Sequence, residues 1–206
     1  MQTTPKYSRA MRFFTVVSLL FLLAGAAASQ IPVNGKTAGM SVAPVVIELF
    51  SDFQCPLCKT LHEQMLPSLL ANYVAKGRVY LIHREFPLTI HAYAAQAAAY
   101  ACAAEKVGRY SQVANVLFGK QELWSVSGKV DETACSVLTP DEARKVRALV
   151  KDPSIAAEVQ RDVLAGLKAG IGGTPTLLIT RDRKQYPVTG ANYDLLRRLL
   201  DDLLAK

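Results

Sequence analysis

The 206-residue sequence has few of the residues that build metal sites and nucleic-acid interfaces. It contains three histidines and four cysteines, and only two of the cysteines are close together in sequence. A structural zinc site usually takes four Cys or His ligands, and the isolated cysteines and the histidines His62, His83 and His91 form no compact motif that would add two ligands to the pair. The 24 basic and 17 acidic residues are intermixed and form no basic cluster with aromatic residues. The sequence therefore predicts no metal site, no other cofactor and no nucleic-acid partner.

The first part of the chain contains no acidic residue, and its pattern is typical of an export signal. Basic residues precede an apolar run at residues 13–24, and small residues suited to signal peptidase follow at 25–29. We therefore expect residues 1–28 to be a signal peptide and the protein to be exported, to the periplasm or another extracytoplasmic space. The run is short for a membrane span, and an uncleaved membrane anchor formed by residues 13–28 is the alternative.

The rest of the chain predicts one folded domain. Residues 29–43 are rich in small and turn-forming residues and predict a flexible lead-in to a domain over residues 44–206. The β-branched, apolar run Val45–Phe50 predicts a buried strand, and a second strand follows at Arg78–Phe86. Alanine-rich, helix-forming sequence then predicts a helical insertion at about residues 88–170.

Strand character returns after this insertion. Thr176–Thr180 and Gln185–Val188 flank a charged turn and predict a hairpin, and Asn192 precedes a leucine-striped helix. The predicted architecture is thus an α/β fold whose β-α-β and β-β-α halves are separated by helices. No long dimerising helix is evident, so we expect a monomer.

The close cysteine pair, Cys55 and Cys58, follows a predicted strand and starts a predicted helix. The helix dipole and unpaired N–H groups favour an anion at Cys55, which makes it the candidate nucleophile. A separation of three residues places Cys58 on the same helical face, as the candidate resolving thiol. Half of a zinc site would lack two ligands, and a structural disulfide across so short a loop would constrain the unfolded chain little. The pattern favours disulfide exchange over both.

Three segments, in order, resemble DsbA-like proteins of the thioredoxin superfamily. They are FSDFQCPLC at residues 50–58, FPL at 86–88 with His91 before an alanine-rich helix, and GTPT at 173–176. The resemblance spans residues 44–204. It implies a thioredoxin-like fold with a helical insertion between its two halves.

The same resemblance implies an enzyme, a protein thiol–disulfide oxidoreductase. Its partners would be protein thiols or disulfides and a redox partner, such as a membrane reoxidant. We expect a dithiol oxidase. A disulfide reductase or isomerase is the first alternative, and a non-catalytic peptide- or metal-binding module is the second.

Further site residues follow from the resemblance. Pro175 would be a cis-proline facing the cysteine pair, with Thr174 before it in contact with substrate. Many relatives have a buried acidic residue six positions before the nucleophile, where this sequence has Leu49. The neighbouring Glu48 is therefore the candidate proton relay. Strand alternation would turn Glu48 to the opposite face, so a strand carboxylate with an ionic partner is the alternative.

Two isolated cysteines and two histidines complete the candidates. Cys102 and Cys135 lie in predicted helices, and after export they are expected to form a second, structural disulfide. Two buried free thiols are the alternative. For His83 and His91 we expect packing or capping roles rather than catalysis.

Overall fold

The computed structural model describes residues 35–205, so the predicted signal or anchor and the start of the lead-in lie outside the described residues. The described strands form one five-stranded sheet in the order β1-β3-β2-β4-β5. Their bounds are β1 (Thr37–Ala38), β2 (Val45–Ser51), β3 (Val79–Glu85), β4 (Thr176–Arg181) and β5 (Lys184–Thr189).

The central strand is β2, which pairs in parallel with β3 and antiparallel with β4. Ile47 lies opposite Leu81 on one side and Ile179 on the other, and all three side chains are fully buried. A continuous run of β-branched and apolar residues suits a strand covered on both faces. The carboxyl end of β2 therefore lies in the middle of one edge of the sheet, and the cysteines follow it directly in sequence.

The described helices cover both faces of the sheet and form the insertion. They are α1 (residues 56–74), α2 (Ala94–Glu105), α3 (Tyr110–Gly119), α4 (Gln121–Ser127), α5 (Val130–Cys135), α6 (Pro140–Leu149), α7 (Pro153–Lys168) and α8 (Tyr193–Leu204). Helices α2 to α7 separate β3 from β4. This order confirms the predicted α/β class with a helical insertion between β-α-β and β-β-α halves.

Helix α1 is uninterrupted but not uniform. Its α-helical stretches Pro56–Thr60 and Leu66–Leu69 alternate with π-helical stretches Leu61–Met65 and Leu70–Val74. Pro67 has no N–H to donate, and the hydrogen bonds around it span five residues instead of four. The helix thus passes through a proline without ending.

Three hydrophobic clusters of the described residues hold these layers: a small one that includes Phe50 and Leu178, and two larger ones. One of the larger clusters lies between the sheet and helices α1 and α8 and includes Ile47, Leu69 and Leu200. The other lies inside the helical insertion around Trp124, whose indole N–H donates to the carbonyl of Leu117 at 2.6 Å. Each large side chain buried in this way contributes about 1.5–3 kcal/mol. The cysteine pair belongs to the cluster around Trp124, so the insertion forms one wall of the site.

The ordered structure begins before the predicted start of the domain. Thr37–Ala38, placed by the sequence in the flexible lead-in, pairs with β3, and Lys36 is buried. Gly39 follows with φ +94°, and a Cβ there would lie 2.5 Å from the carbonyl oxygen of Val79. Short polar sequence thus forms an edge strand because the sheet supplies its partners. Within residues 35–205, no helix has the length and apolar character needed to cross a membrane.

Candidate active site

The turn after β2 places Cys55 at the N-cap of α1. Cys55 has an extended backbone (φ −78°, ψ 123°), and Pro56 occupies the first helical turn. The N–H groups of Cys58 and Lys59 donate to the carbonyl of Cys55 at 3.1 and 3.2 Å. Proline suits this position because the first N–H groups of a helix have no partner within it. The remaining N–H groups and the helix dipole favour an anion at the sulfur of Cys55.

The two sulfurs have opposite acidities. Cys55 is 7% exposed and Cys58 is 1% exposed. Donation by the Cys58 thiol lowers the pKa of Cys55 to about 5 against the opposing effect of burial, and backbone N–H groups of Cys58 and Leu57 add to the lowering. Burial, followed by the adjacent Cys55, raises the pKa of Cys58 far above its ordinary value. At neutral pH the reduced pair is thus a thiolate at Cys55 and a thiol at Cys58.

The loop before β4 faces this pair. The Thr174–Pro175 peptide bond is cis, as predicted, and the sulfur of Cys55 lies 3.5 Å from the carbonyl oxygen of Thr174. The hydroxyl of Thr174 is buried, and as a hydrogen-bond donor it contributes to the lowered pKa of Cys55. The structure therefore brings together the four residues Cys55, Cys58, Thr174 and Pro175.

Glu48 lies elsewhere. Along β2 the side chain of Leu49 enters the core while that of Glu48 points to the other face, as alternation requires. The carboxylate of Glu48 accepts from the guanidinium of Arg84 at 2.7 Å, and Arg84 also donates to Asp162 at 3.0 Å. The geometry fits the alternative of a strand carboxylate with an ionic partner, and it gives no contact to support a relay role.

The predicted second disulfide is not formed in the structure. Cys102 and Cys135 are both buried free thiols. The ammonium group of Lys36 lies 3.6 Å from the sulfur of Cys102, whereas the thiol of Cys135 donates to Asp131 at 3.2 Å. The two sulfurs have separate polar partners, which agrees with the alternative of two buried thiols.

Asp52 and His91 form a pair that the sequence did not predict. The side chain of Asp52 is fully inaccessible, and its carboxylate accepts from the N–H groups of Gln54 at 2.7 Å and Leu88 at 2.8 Å. It also accepts from Nδ1 of His91 at 2.7 Å. We had expected His91 only to pack or to cap a helix. In the structure it also donates a hydrogen bond to a buried carboxylate beside the cysteines. The signal that could have found the pair is the position of both residues inside the segments that carry the family resemblance.

A glutamine of the insertion also holds the cysteine loop. The buried amide of Gln121 in α4 donates to the carbonyl of Phe53 at 2.7 Å and to that of Cys55 at 3.0 Å. Both acceptors belong to the loop that leads into α1. The helical insertion thus fixes the backbone of the site as well as covering it. Nothing in the sequence around Gln121 distinguishes this role from that of an exposed helical residue.

A buried ionic cluster lies where the edge of β3 meets the insertion. The ammonium group of Lys36 is 2.6 Å from Asp162 and 4.0 Å from Glu85. The carboxylate of Glu85 accepts from the hydroxyl of Tyr110 at 2.9 Å. Burial raises the pKa of Glu85 to about 7, although Lys36 and the hydroxyl of Tyr110 oppose this. The cluster therefore contains a carboxyl group that titrates near neutral pH.

A mixed sheet, a Cys-x-x-Cys pair at the N-terminus of a helix and a cis-proline against it are the features of the thioredoxin-like class that the sequence resemblance implied. Comparison with known families agrees with this class. The family model described as Thioredoxin (Thioredoxin_4) matches residues 33–202, and the chain belongs to this family.

Individual relatives cover different parts of the chain. The chain is 29% identical to Na(+)/H(+) antiporter NhaA 3 of Salinispora tropica over 157 residues, 76% of this chain and 23% of that protein. It is 40% identical to the Probable disulfide bond formation protein D of Bacillus cereus over 52 residues, 25% of this chain and 24% of the relative. The matches thus span about a quarter of the length of these curated relatives.

Among solved structures, Wolbachia pipientis alpha-DsbA1 superimposes with a TM-score of 0.68 at 23% identity. The match covers 84% of this chain and 92% of that one. This likeness shows the fold, thioredoxin-like with a helical insertion, as predicted.

Proposed function

We propose that this protein is an exported dithiol oxidase that transfers a disulfide from Cys55 and Cys58 to protein substrates. The observation that carries the proposal is the difference between the two sulfurs, with the pKa of Cys55 at about 5 and that of Cys58 raised by burial. An ordinary cysteine thiol has a pKa of about 8.5. Cys55 is therefore a far better leaving group than a substrate thiol, and its thiolate stabilises the reduced enzyme.

The reaction balances over two exchanges. A substrate thiol ionises and its thiolate attacks the sulfur of Cys55, the Cys55–Cys58 bond breaks with its electron pair on Cys58, and Cys58 takes up the proton that the substrate thiol released. A second substrate thiolate then attacks the substrate sulfur of the mixed disulfide, and Cys55 leaves as a thiolate. The substrate loses two electrons, which the reduced pair holds until a redox partner removes them. A membrane protein that reoxidises the pair is the partner we propose.

The surroundings of Cys55 suit an extended peptide. The carbonyl oxygen of Thr174 lies 3.5 Å from the sulfur of Cys55. Leu57, between the cysteines, is 54% exposed and gives the mouth of the site an apolar side chain. These groups would contact the backbone and an apolar side chain of the substrate next to its cysteine.

The name of one relative and the export pattern of this sequence support the oxidative direction. The Bacillus cereus protein is named for disulfide bond formation, and residues 1–28 have the pattern of an export signal. Disulfides persist outside the cytoplasm, where an oxidase has its use. Reduction or isomerisation would use the same pair in its reduced form and is the competing direction.

The test measures the transfer of a disulfide and the reduction potential of the pair. Oxidised protein is mixed with a reduced two-cysteine peptide, and the peptide disulfide is quantified. Cys55→Ser should abolish transfer, whereas Cys135→Ser, a matched change at a thiol outside the site, should leave it intact. Equilibration with glutathione should give a reduction potential of about −120 mV for the Cys55–Cys58 pair. A potential of about −270 mV would overturn the oxidase direction. Transfer by the Cys55→Ser variant would overturn the mechanism.

A further inference from the structure

The carboxylate of Asp52 is held in the turn that precedes the cysteines. Two of its three hydrogen-bond donors are the backbone N–H groups of Gln54 and Leu88, and the third is the side chain of His91. One carboxylate thus joins the cysteine turn to the loop after β3. A buried carboxylate requires this number of donors, because an ionised group without partners is expensive to remove from water.

The backbone of Asp52 contacts the resolving thiol. Its N–H donates to the sulfur of Cys58 at 3.4 Å, and its carbonyl accepts from the N–H of Cys55 at 3.1 Å. A sulfur that accepts from one side is oriented to donate its own proton to the other. The position of Asp52 therefore aims the Cys58 thiol at Cys55, and this donation is the main stabilisation of the Cys55 thiolate.

Among the described residues, His91 supplies the one side-chain donor to the carboxylate of Asp52. A carboxylate at neutral pH can only accept, so Nδ1 of His91 carries the hydrogen that it donates to Asp52. The other two donors are backbone groups that no side-chain substitution can delete. The imidazole is 19% exposed, which leaves the ring partly accessible beside a carboxylate that is fully buried.

We infer that His91 is a positioning residue for the cysteine pair, acting through Asp52. By donating to the buried carboxylate, His91 fixes the turn whose N–H orients Cys58 toward Cys55. His91 works by hydrogen-bond geometry and does not touch the reacting sulfurs. The catalytic consequence rests on the proposed function, whereas the effect on the Cys55 thiolate does not.

Two substitutions separate a hydrogen bond from simple filling of space. In His91→Asn the amide nitrogen takes the place of Nδ1 and keeps a donor for Asp52, whereas His91→Leu has similar bulk and no donor. The readout is the pH dependence of alkylation of Cys55 in the reduced protein, followed at that residue by mass spectrometry. His62→Leu is the control, because His62 is hydrogen-bonded to Asn115 instead of Asp52.

We expect His91→Leu to raise the midpoint by at least about one pH unit, a tenfold loss of thiolate below the midpoint. His91→Asn should restore the wild-type midpoint, and His62→Leu should not change it. An unchanged midpoint in His91→Leu, or an Asn variant that behaves like Leu, would overturn the inference.

A measurement on the unaltered protein guards against a variant that fails to fold. Nitrogen NMR of the imidazole should find Nδ1 of His91 protonated at neutral pH, and a neutral ring protonated only at Nε2 would overturn the inference. These readouts do not depend on turnover. If they hold while wild-type protein fails to oxidise the peptide, the proposed function fails alone.

Discussion

Replacement of Glu85 by glutamine should change how stability depends on pH. Glu85 is 2% exposed, and its pKa is raised by burial from 4.5 to about 7. Between these values the folded protein binds a proton that the unfolded chain has released. The protonated carboxyl therefore contributes stability that is complete below pH 4.5 and is lost as the pH rises through about 7.

The magnitude follows from the two pKa values. The interval from 4.5 to about 7 corresponds to about 3 kcal/mol, at about 1.4 kcal/mol per pH unit. Glutamine stays neutral, still accepts from Tyr110, and leaves Lys36 paired with Asp162 at 2.6 Å. Glu85→Gln should thus stabilise the protein by up to about 3 kcal/mol at pH 8 and hardly at pH 4.

Urea unfolding of wild type and variant at pH 4 and pH 8 tests this expectation. Burial lowers the pKa of His83 to about 3, so the protein loses the stability contributed by neutral His83 as the pH falls. This contribution is the same in wild type and variant, and it cancels when the two proteins are compared at one pH. Glu132→Gln, at a side chain that is 69% exposed, is the matched control and should show no such difference. A Glu85→Gln effect of equal size at both pH values would refute the role assigned to burial.

Three further substitutions have expected outcomes. Gly166→Ala should destabilise the fold by about 1–3 kcal/mol, because the new Cβ would lie 2.6 Å from the ring of Phe86; thermal unfolding measures this, and a stabilised variant would contradict it. Cys58→Ala should raise the pKa of Cys55 from about 5 by removing its main hydrogen-bond donor, and thiolate absorbance that still titrates near pH 5 would disprove this. Thr139→Ala should lose about 0.5–2 kcal/mol with the capping box of α6, measured by urea unfolding, and Thr139→Ser should retain most of it.

The regular elements of the fold could be predicted because their signals are local. The apolar run of β2, the alanine-rich α2 and the cap of α8 by Asn192 each follow from a few adjacent residues. Strand β1 could not be predicted this way, because Thr37–Ala38 has little strand character and is ordered by pairing with β3.

In the candidate site, too, residues in local motifs could be predicted and long-range contacts could not. Cys55, Cys58 and Pro175 lie in compact motifs, so their neighbourhood was predicted. The Asp52–His91 pair joins residues 39 positions apart, and neither residue alone indicates the other. Cys102 was expected to pair with a cysteine, but its sulfur lies 3.6 Å from the ammonium group of Lys36, which belongs to a segment predicted to be flexible. Long-range polar contacts are the part of the site that periodicity and spacing do not encode.

The helical insertion separates β3 from β4 in the sequence, and this has a consequence for biosynthesis. Val46 pairs with Thr180, so the partner of the central strand is made 134 residues later, after all the helices of the insertion. Until then one edge of β2 has free N–H and C=O groups beside an apolar face, which is the kind of surface that recruits other chains. An incompletely synthesised chain should therefore depend on chaperones until residue 180 has emerged from the ribosome. Strand β4 then pairs with the open edge of β2 and brings with it the loop that faces Cys55.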